Sequence, residues 1–440
     1  MPKVVLTIGG SDSGGGAGIQ ADLKTFSILG LHGTCAITAV TAQNTMGVQK
    51  VFGLGPEVVA SQLTSITNDF SIAFAKTGML FSAEIVDVVA EHLKRKRIAF
   101  VLDPVVEAEA GGRLLRPSAV KSVQEHLIPL ARVVTPNIFE AEALTGVRVK
   151  DLEGAELAAR RLMDLGAKAA VVKGGHLDCT DLLREEGAVH KLQGKRVAGG
   201  NHGVGCTYSA ALTSFLALGS PLLDAALKAK EFAALAVAKS MDVGHGAGPV
   251  NQAATKLEEA DRFRVLCDVQ EAVERLLAEP NLITVISEAG SNIGEAISGA
   301  TGDQDIAAVK GGLIRSGNRV HQSGCLKFGA DGRISRIILA AMRFDPMVRA
   351  AMILSIEALP ACDALGLNAE HIDPRDAPDE WEKMFRGRGP PPRNVAPFPD
   401  AVWENGERGR EPMLMLLGEH ASEVAEVAIR ISRYLNDGKI

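Results

Sequence analysis

What the chain lacks narrows its class first. No run of about 18 apolar residues suggests a membrane-spanning helix. The opening Met1-Pro2-Lys3-Val4-Val5-Leu6 passes straight into a strand-like run that is too short for a secretory signal. Six cysteines (35, 179, 206, 267, 325 and 362) include no Cys-x-x-Cys pair. That argues against a disulfide frame or a structural zinc site, and for a reducing, cytoplasmic setting. Positive charge is not in excess: 47 Lys and Arg against 53 Asp and Glu leave a net charge of −6. No nucleic acid and no anionic membrane is therefore expected as a partner. There is no Gly-x-x-x-x-Gly-Lys-Ser/Thr, so a P-loop nucleotide site is excluded. Internal repeats are absent.

What is present is a globular composition, 46% apolar and 23% charged over 440 residues, with room for two or three domains. Gly199-Gly200-Asn201-His202-Gly203-Val204-Gly205-Cys206-Thr207 precedes a small-residue helical run. Glycines turn backbone N–H groups toward one point, and a helix start adds unpaired donors and a positive dipole end. This is an anion cradle with Cys206 at its lip, where a thiol is expected to shift toward thiolate.

The first half alternates short β-branched runs with amphipathic ones. Strands are expected at Val4 to Ile8, His32 to Ala42, Ala99 to Val105, Val133 to Asn137 and Ala169 to His176. Helices are expected at Ala21 to Leu29, Glu57 to Ile66, Ala83 to Lys94 and Pro221 to Ser240. Such alternation predicts an α/β fold with a parallel sheet covered on both faces. Gln43, Asp103, Asn137, Glu140 and Lys173 all fall at C-terminal ends of the expected strands. In an open α/β sheet that edge is where ligands bind.

A break is expected near the charged stretch Lys256-Leu257-Glu258-Glu259-Ala260-Asp261-Arg262. Beyond it, helices are expected at Arg264 to Leu277, Arg333 to Phe344 and Ser422 to Leu435. Leu282 to Ser287 reads as a strand that ends in Glu288-Ala289-Gly290-Ser291-Asn292. Ile306 to Val320 reads as a strand pair around Gly311-Gly312, and Arg349 to Ile356, Asn368 to Ile372 and Pro412 to Leu417 as further strands. Arg386 to Arg393 is expected to be an exposed, mobile loop.

Residues 9–26, from Gly9-Gly10-Ser11-Asp12 to Lys24-Thr25-Phe26, resemble the opening of the hydroxymethylpyrimidine/phosphomethylpyrimidine kinases of thiamine biosynthesis. Thr41-Ala42-Gln43-Asn44-Thr45, Leu102-Asp103-Pro104-Val105, Thr135-Pro136-Asn137, Val172-Lys173-Gly174-Gly175-His176 and His202-Gly203-Val204-Gly205-Cys206-Thr207 follow in the family's order. The resemblance covers residues 1–253. It implies a ribokinase-like fold, a homo-oligomer, a small-molecule pyrimidine substrate, and ATP with Mg²⁺. It assigns Gln43, Gly10, Met79 and Asp22 to the pyrimidine, and Lys173, Asn137, Glu140 and Thr207 to the nucleotide. Asp103 and Glu140 would organise the metal and its waters. Lys173 and the Gly203, Gly205 and Cys206 N–H groups would hold the transferring phosphoryl group, with Cys206 as base. Val204 stands where the family commonly has Thr. Pyridoxal kinases share the fold and commonly carry Asp at the position of Cys206.

Residues 263–440 resemble the archaeal-type thiamine-phosphate synthase domain, which implies a second α/β domain. The resemblance rests on Glu288-Ala289-Gly290-Ser291-Asn292, Lys327-Phe328-Gly329-Ala330, residues 339–346, Arg349-Ala350-Ala351-Met352 and Gly409-Arg410-Glu411-Pro412-Met413. Active members carry His where this chain has Arg333, and Arg where it has Gly312. They continue Asn-Ile-Arg/Lys-Tyr where it reads Ile353-Leu354-Ser355-Ile356. A departing pyrophosphate cannot be stabilised by Gly312 or Ile353. The favoured expectation is therefore a non-catalytic module that binds thiamine phosphate or a pathway intermediate, with Arg333, Arg343 and Arg349 as anion-binding candidates. The alternative is a bifunctional kinase and synthase.

Overall fold

The computed structural model describes residues 2–106, 117–372, 398–406 and 411–438. The expected loop Arg386 to Arg393, and Gly409 and Arg410 of the synthase-like motif, lie outside the described residues. The chain forms two compact units, Met1–Lys256 and Leu257–Ile440.

The first unit is built on nine strands: β1 Val4–Ser11, β2 His32–Asn44, β3 Gly47–Gly53, β4 Ile72–Thr77, β5 Phe100–Leu102, β6 Val133–Val134, β7 Ala169–Val172, β8 Asp181–Glu185 and β9 Ala188–Leu192. They lie in the order β3-β2-β1-β4-β5-β6-β7-β8-β9. The six from β2 to β7 in that order pair in parallel, and the flanking β3, β8 and β9 are antiparallel. Side chains of a strand alternate between faces, so an apolar run buries both. Leu6, Ile8, Phe100, Leu102, Val134, Ala170 and Val172 meet the helices Pro56–Asp69, Ala83–Lys96, Ile138–Thr145 and Leu152–Asp164. Val101, Val133, Ala169 and Val171 point the other way, onto Val204–Leu218 and Leu222–Ala238. The helix Gly18–Ile28 joins that second layer through Phe26. The ribokinase-like, mainly parallel sheet covered on both faces is thus the observed architecture.

Strand β4 is not among the expected elements. Its penultimate residue, Lys76, breaks the apolar pattern yet is fully buried.

In the second unit, β10 Ile293–Ala296, β11 Ile306–Val309, β12 Leu313–Ser316, β13 Arg319–Gln322, β14 Leu326–Phe328, β15 Ala350–Ser355, β16 Ala369–Ile372, β17 Ala401–Glu404 and β18 Met413–Gly418 form two sheets. The larger has the order β14-β11-β10-β15-β18-β17-β16, and all its pairs but β16–β17 are antiparallel. Met352, Leu354, Leu414 and Leu416 face a core shared with the helices Ala254–Ala278 and Ala421–Asn436. Ala351, Ile353, Met415 and Leu417 face the helix Gly332–Met342.

The units divide between Lys256 and Leu257, inside the charged stretch where a break is expected, and the stretch itself is helical, within Ala254–Ala278, with Arg262 paired to Glu258 one turn earlier and to Asp305. Two expectations for this unit change. Leu282 to Ser287 is no strand. Pro280–Thr284 is a 3₁₀ turn capped by the Glu279 side chain, and the strand begins at Ile293. Short apolar runs fit either form. Finally, β11 and β12 do not pair. Gly311 and Gly312, at φ +80° and +76°, turn the chain out of the larger sheet, so β12 pairs with β13 instead.

Candidate active site

The first glycine-rich turn leaves the end of β1 and is wound around one carboxylate. Asp12 Oδ1 accepts the Gly14 N–H at 2.8 Å, and Oδ2 accepts those of Gly16 and Ala17 at 3.1 and 2.8 Å. His202 Nε2 stands 3.0 Å from the same Oδ2. Burial alone would raise the Asp12 carboxyl. His202 and the backbone donors outweigh it and hold the group below its ordinary value. Ser13 ties this turn to the end of β2, accepting from the Gln43 N–H at 2.8 Å. Back on β1, the missing Cβ of Gly10 leaves room for Met79: a Cβ there would lie 2.3 Å from Met79 Cε.

The second turn leads into the helix Val204–Leu218. Gly203 holds φ +84°, and a Cβ on it would come within 1.9 Å of the Gly16 carbonyl oxygen. Only glycine allows the two turns to touch. The N–H groups of Gly205 and Cys206 lie in the first helical turn and have no partner within the helix. Lys173 Nζ lies over this turn, 3.4 Å from where a Gly205 Cβ would be. Thr207 is not aimed into the cradle: its buried hydroxyl accepts from Gln252 Nε2 at 3.0 Å.

Between the turns and the sheet edge lies a network of charge. Lys173 Nζ donates to Asp103 Oδ1 at 3.1 Å, and Ser209 Oγ donates to Asp103 Oδ2 at 2.9 Å. Asn137 accepts the Glu140 N–H while Glu140 Oε2 accepts that of Asn137, both at 2.8 Å, so the two form a capping box. Burial pushes the Glu140 carboxyl up to about 7 against the pull of Lys173.

Lys76 and Asp22 sit deeper. Lys76 Nζ is 2.6 Å from Asp22 Oδ1 and 4.0 Å from Asp103 Oδ2, and Thr7 Oγ1 donates to Asp22 Oδ2 at 2.6 Å. Both Asp22 oxygens are thus engaged within the protein. Burial opposes the charge on Lys76, but the carboxylates around it prevail and the ammonium stays protonated.

Cys206 departs from expectation. Burial pushes its thiol up to about 11; Lys76 and the Gly18 N–H, which the sulfur accepts, only partly oppose this. A helix N-terminus lowers a thiol when water still reaches it, and here desolvation is the larger effect. The sulfur lies against Gly18, where an added Cβ would stand 2.4 Å from the Gly10 carbonyl oxygen.

Sequence reasoning missed the roles of Lys76, Asp12 and His202. The available signals were a lysine inside the apolar stretch Ile72–Thr77 and single polar residues inside glycine runs.

In the second unit two of the three candidate arginines stand apart. Arg333 and Arg343 lie at opposite ends of the helix Gly332–Met342, about 15 Å apart at 1.5 Å per residue. Arg349 donates to Ser298 Oγ at 3.3 Å beside Glu295. Gly312 is buried, and a Cβ there would lie 2.4 Å from the Ser291 carbonyl oxygen. Ile353 is 1% exposed within β15.

The phosphomethylpyrimidine kinase pattern matches residues 12–251, and that of thiamine-phosphate synthase ThiN matches residues 268–430. A hydroxymethylpyrimidine/phosphomethylpyrimidine kinase of Haemophilus influenzae is 48% identical over 258 residues, covering 57% of this chain and 96% of that one. The thiamine biosynthesis bifunctional protein ThiED of Geobacter sulfurreducens is 46% identical over 263 residues, and the chain spans only 54% of it. Among solved structures, an ADP complex of Bacillus subtilis pyridoxal kinase superposes with a TM-score of 0.55 at 35% identity, covering 58% of this chain and all of that one. Staphylococcus aureus pyridoxal kinase in complex with pyridoxal gives 0.54 at 34%, covering 58% and 95%.

Proposed function

The chain belongs to the phosphomethylpyrimidine kinase family, and from that premise we propose how its first unit works. It phosphorylates 4-amino-5-hydroxymethyl-2-methylpyrimidine and then the monophosphate, using ATP. The observation that carries this reading is the contact of two glycine-rich turns at Gly203 and Gly16, with Lys173 over the first turn of the helix Val204–Leu218.

The Gln43 amide offers a donor and an acceptor, as an aminopyrimidine edge requires. Gly10 and Met79 wall the ring. Gly203 shapes the cradle, and the Gly205 and Cys206 N–H groups point at the transferring phosphoryl group. Lys173 adds a point cation.

The donor set also fits Mg²⁺. Asp103 and Glu140 supply carboxylates, but Lys173 and Ser209 already engage both Asp103 oxygens. They would therefore hold the ion through its waters, as Mg²⁺ favours. Bound there, the ion would neutralise charge on the nucleotide phosphates.

The two phosphorylations differ chemically. A hydroxymethyl acceptor must lose its proton, and Cys206 Sγ is the group placed to take it. A phosphate acceptor is already ionised near neutral pH. Lys76, held charged beneath the site, stabilises the thiolate as it forms. Asp22 acts through Lys76 and not on substrate.

The second unit we read as a non-catalytic module for thiamine phosphate or a related phosphorylated intermediate. The turn at Gly312 and the buried Ile353 support this, since neither position can present a charged group to pyrophosphate. A bifunctional kinase and synthase is the competing reading, which the synthase-like pattern over residues 268–430 favours.

Separate assays of the two phosphorylations test the first reading, with pyridoxal as competitor. Turnover of pyridoxal in preference to the pyrimidine overturns it. For the second unit, the full chain is mixed with the pyrimidine diphosphate and the thiazole phosphate. Release of pyrophosphate in a single turnover overturns the non-catalytic reading.

A further inference from the structure

A cleft of about 370 Å³ opens on the second unit, away from any residue assigned above to phosphoryl transfer. Asp268, Glu295 and His420 line it. They come from three elements: the helix Ala254–Ala278, strand β10, and the residue that precedes the helix Ala421–Asn436. One ligand-capable atom from each lies within 4.8 Å of the other two. We propose that these three side chains form a divalent transition-metal site that binds Zn²⁺ or a similar ion.

The chemistry of the donor set points to that class. Two carboxylates with one imidazole suit Zn²⁺, Mn²⁺ or Co²⁺ better than Mg²⁺ or Ca²⁺, which take oxygen ligands. Donors roughly 2.1 Å from a tetrahedral ion stand about 3.4 Å apart. Glu295 Oε1 and His420 Nδ1 already have that spacing, at 3.3 Å.

Both carboxylates are also held from behind. Glu295 Oε2 accepts the Ala421 N–H at 2.8 Å, and Asp268 Oδ2 accepts that of Ser422 at 3.0 Å. One oxygen of each carboxyl is thus fixed by backbone, which orients the other.

Two further features point to a cation. The Asp268 and Glu295 carboxyls meet, and the Glu295 side chain is 3% exposed. Carboxyl groups avoid such a meeting unless a proton or a cation joins them. His420 is 41% exposed, which gives an ion a route in and leaves a position for water. Arg349 and Arg264 line the same cleft, so that open position faces positive charge and suits an anionic oxygen ligand.

The test uses the full chain, stripped with a chelator and kept in excess Mg²⁺ so that oxygen-only sites are filled. Calorimetry with Zn²⁺ is expected to give one site per chain, and Co²⁺ to give visible ligand-field bands. His420→Ala, a half-exposed position that leaves the core intact, is expected to abolish the bands and the Zn²⁺-dependent rise in Tm. A shared proton in place of a metal predicts no bands and no uptake, and that result overturns the proposal. So does uptake that is equal in the wild type, His420→Ala and Glu295→Gln.

Discussion

His202 Nε2 stands 3.0 Å from Asp12 Oδ2, and this contact joins two glycine-rich turns that are 190 positions apart in sequence. The first turn is wound on Asp12, and the second, which we propose cradles phosphate, begins one residue after His202. Removing the imidazole is expected to let the turns drift apart. A misplacement of about 1 Å can cost on the order of 100-fold in rate. His202→Ala should therefore lower kcat/KM roughly 10- to 100-fold, and His202→Asn, which can still donate to Asp12, should recover part of it. Unchanged kinetics in His202→Ala would remove the clasp from the catalytic account.

The same pair sets a pH response. Asp12 has a folded pKa below its ordinary 3.8. Its contribution to stability is complete above the unfolded value and is lost as pH falls through the lower folded one. Asp12→Asn should make the first unit less stable near neutrality and flatten its acid limb below about pH 4. Denaturant midpoints measured from pH 2 to pH 7 check this. An acid limb as steep as the wild type would argue against it.

Cys206→Ala should separate the two phosphorylations. The alcohol step is expected to fall by about 10²- to 10⁴-fold, the usual worth of a general base. The phosphate step should fall far less. With the thiol pushed up to about 11, the thiolate fraction grows about tenfold per pH unit across pH 7 to 9. The alcohol step should rise with pH over that range in the wild type and the phosphate step should stay flat. Equal losses in both steps would sink Cys206 as the base.

Lys76 and Asp22 form an ion pair with side chains 0% and 1% exposed. Removing one partner strands the other, at a cost of about 3–5 kcal/mol. Lys76→Met should be destabilising by that amount, whereas Lys76→Met with Asp22→Leu should lose much less. A double-mutant cycle on the unfolding of the first unit measures the difference. Additive single losses would show that the two side chains do not act as a pair.

Gly203→Ala combines a left-handed backbone with a Cβ 1.9 Å from the Gly16 oxygen. The backbone strain alone costs about 1–2 kcal/mol, and the clash must push the turns apart. A drop of at least about 100-fold in kcat/KM for both phosphorylations is expected. Loss confined to one of them would mean that the cradle is not shared.

Much of the first unit was legible because its chemistry sits at strand ends. Gln43, Asp103, Asn137, Glu140 and Lys173 follow apolar runs, and a parallel sheet turns that position into a place in space. Lys76 was not legible. A single lysine in a short run breaks the pattern that marks a strand, and only the carboxylates of Asp22 and Asp103, 54 and 27 positions away, explain its burial. The lowered thiol expected at Cys206 failed for a related reason: a helix start is visible in sequence, but the depth at which it lies is not. In the second unit the turn at Gly311 and Gly312 sent β12 out of the sheet, and no local pattern reports where a strand finds its partner.

That turn also bears on what a change of sequence could do here. Arg at position 312 would need a strained backbone and would press on Ser291. Asn at position 353 would bury an amide in an apolar layer, at about 1–3 kcal/mol if left unpaired. Either substitution alone is therefore expected to lower stability, and installing both would call for compensating changes in the layer that packs on them.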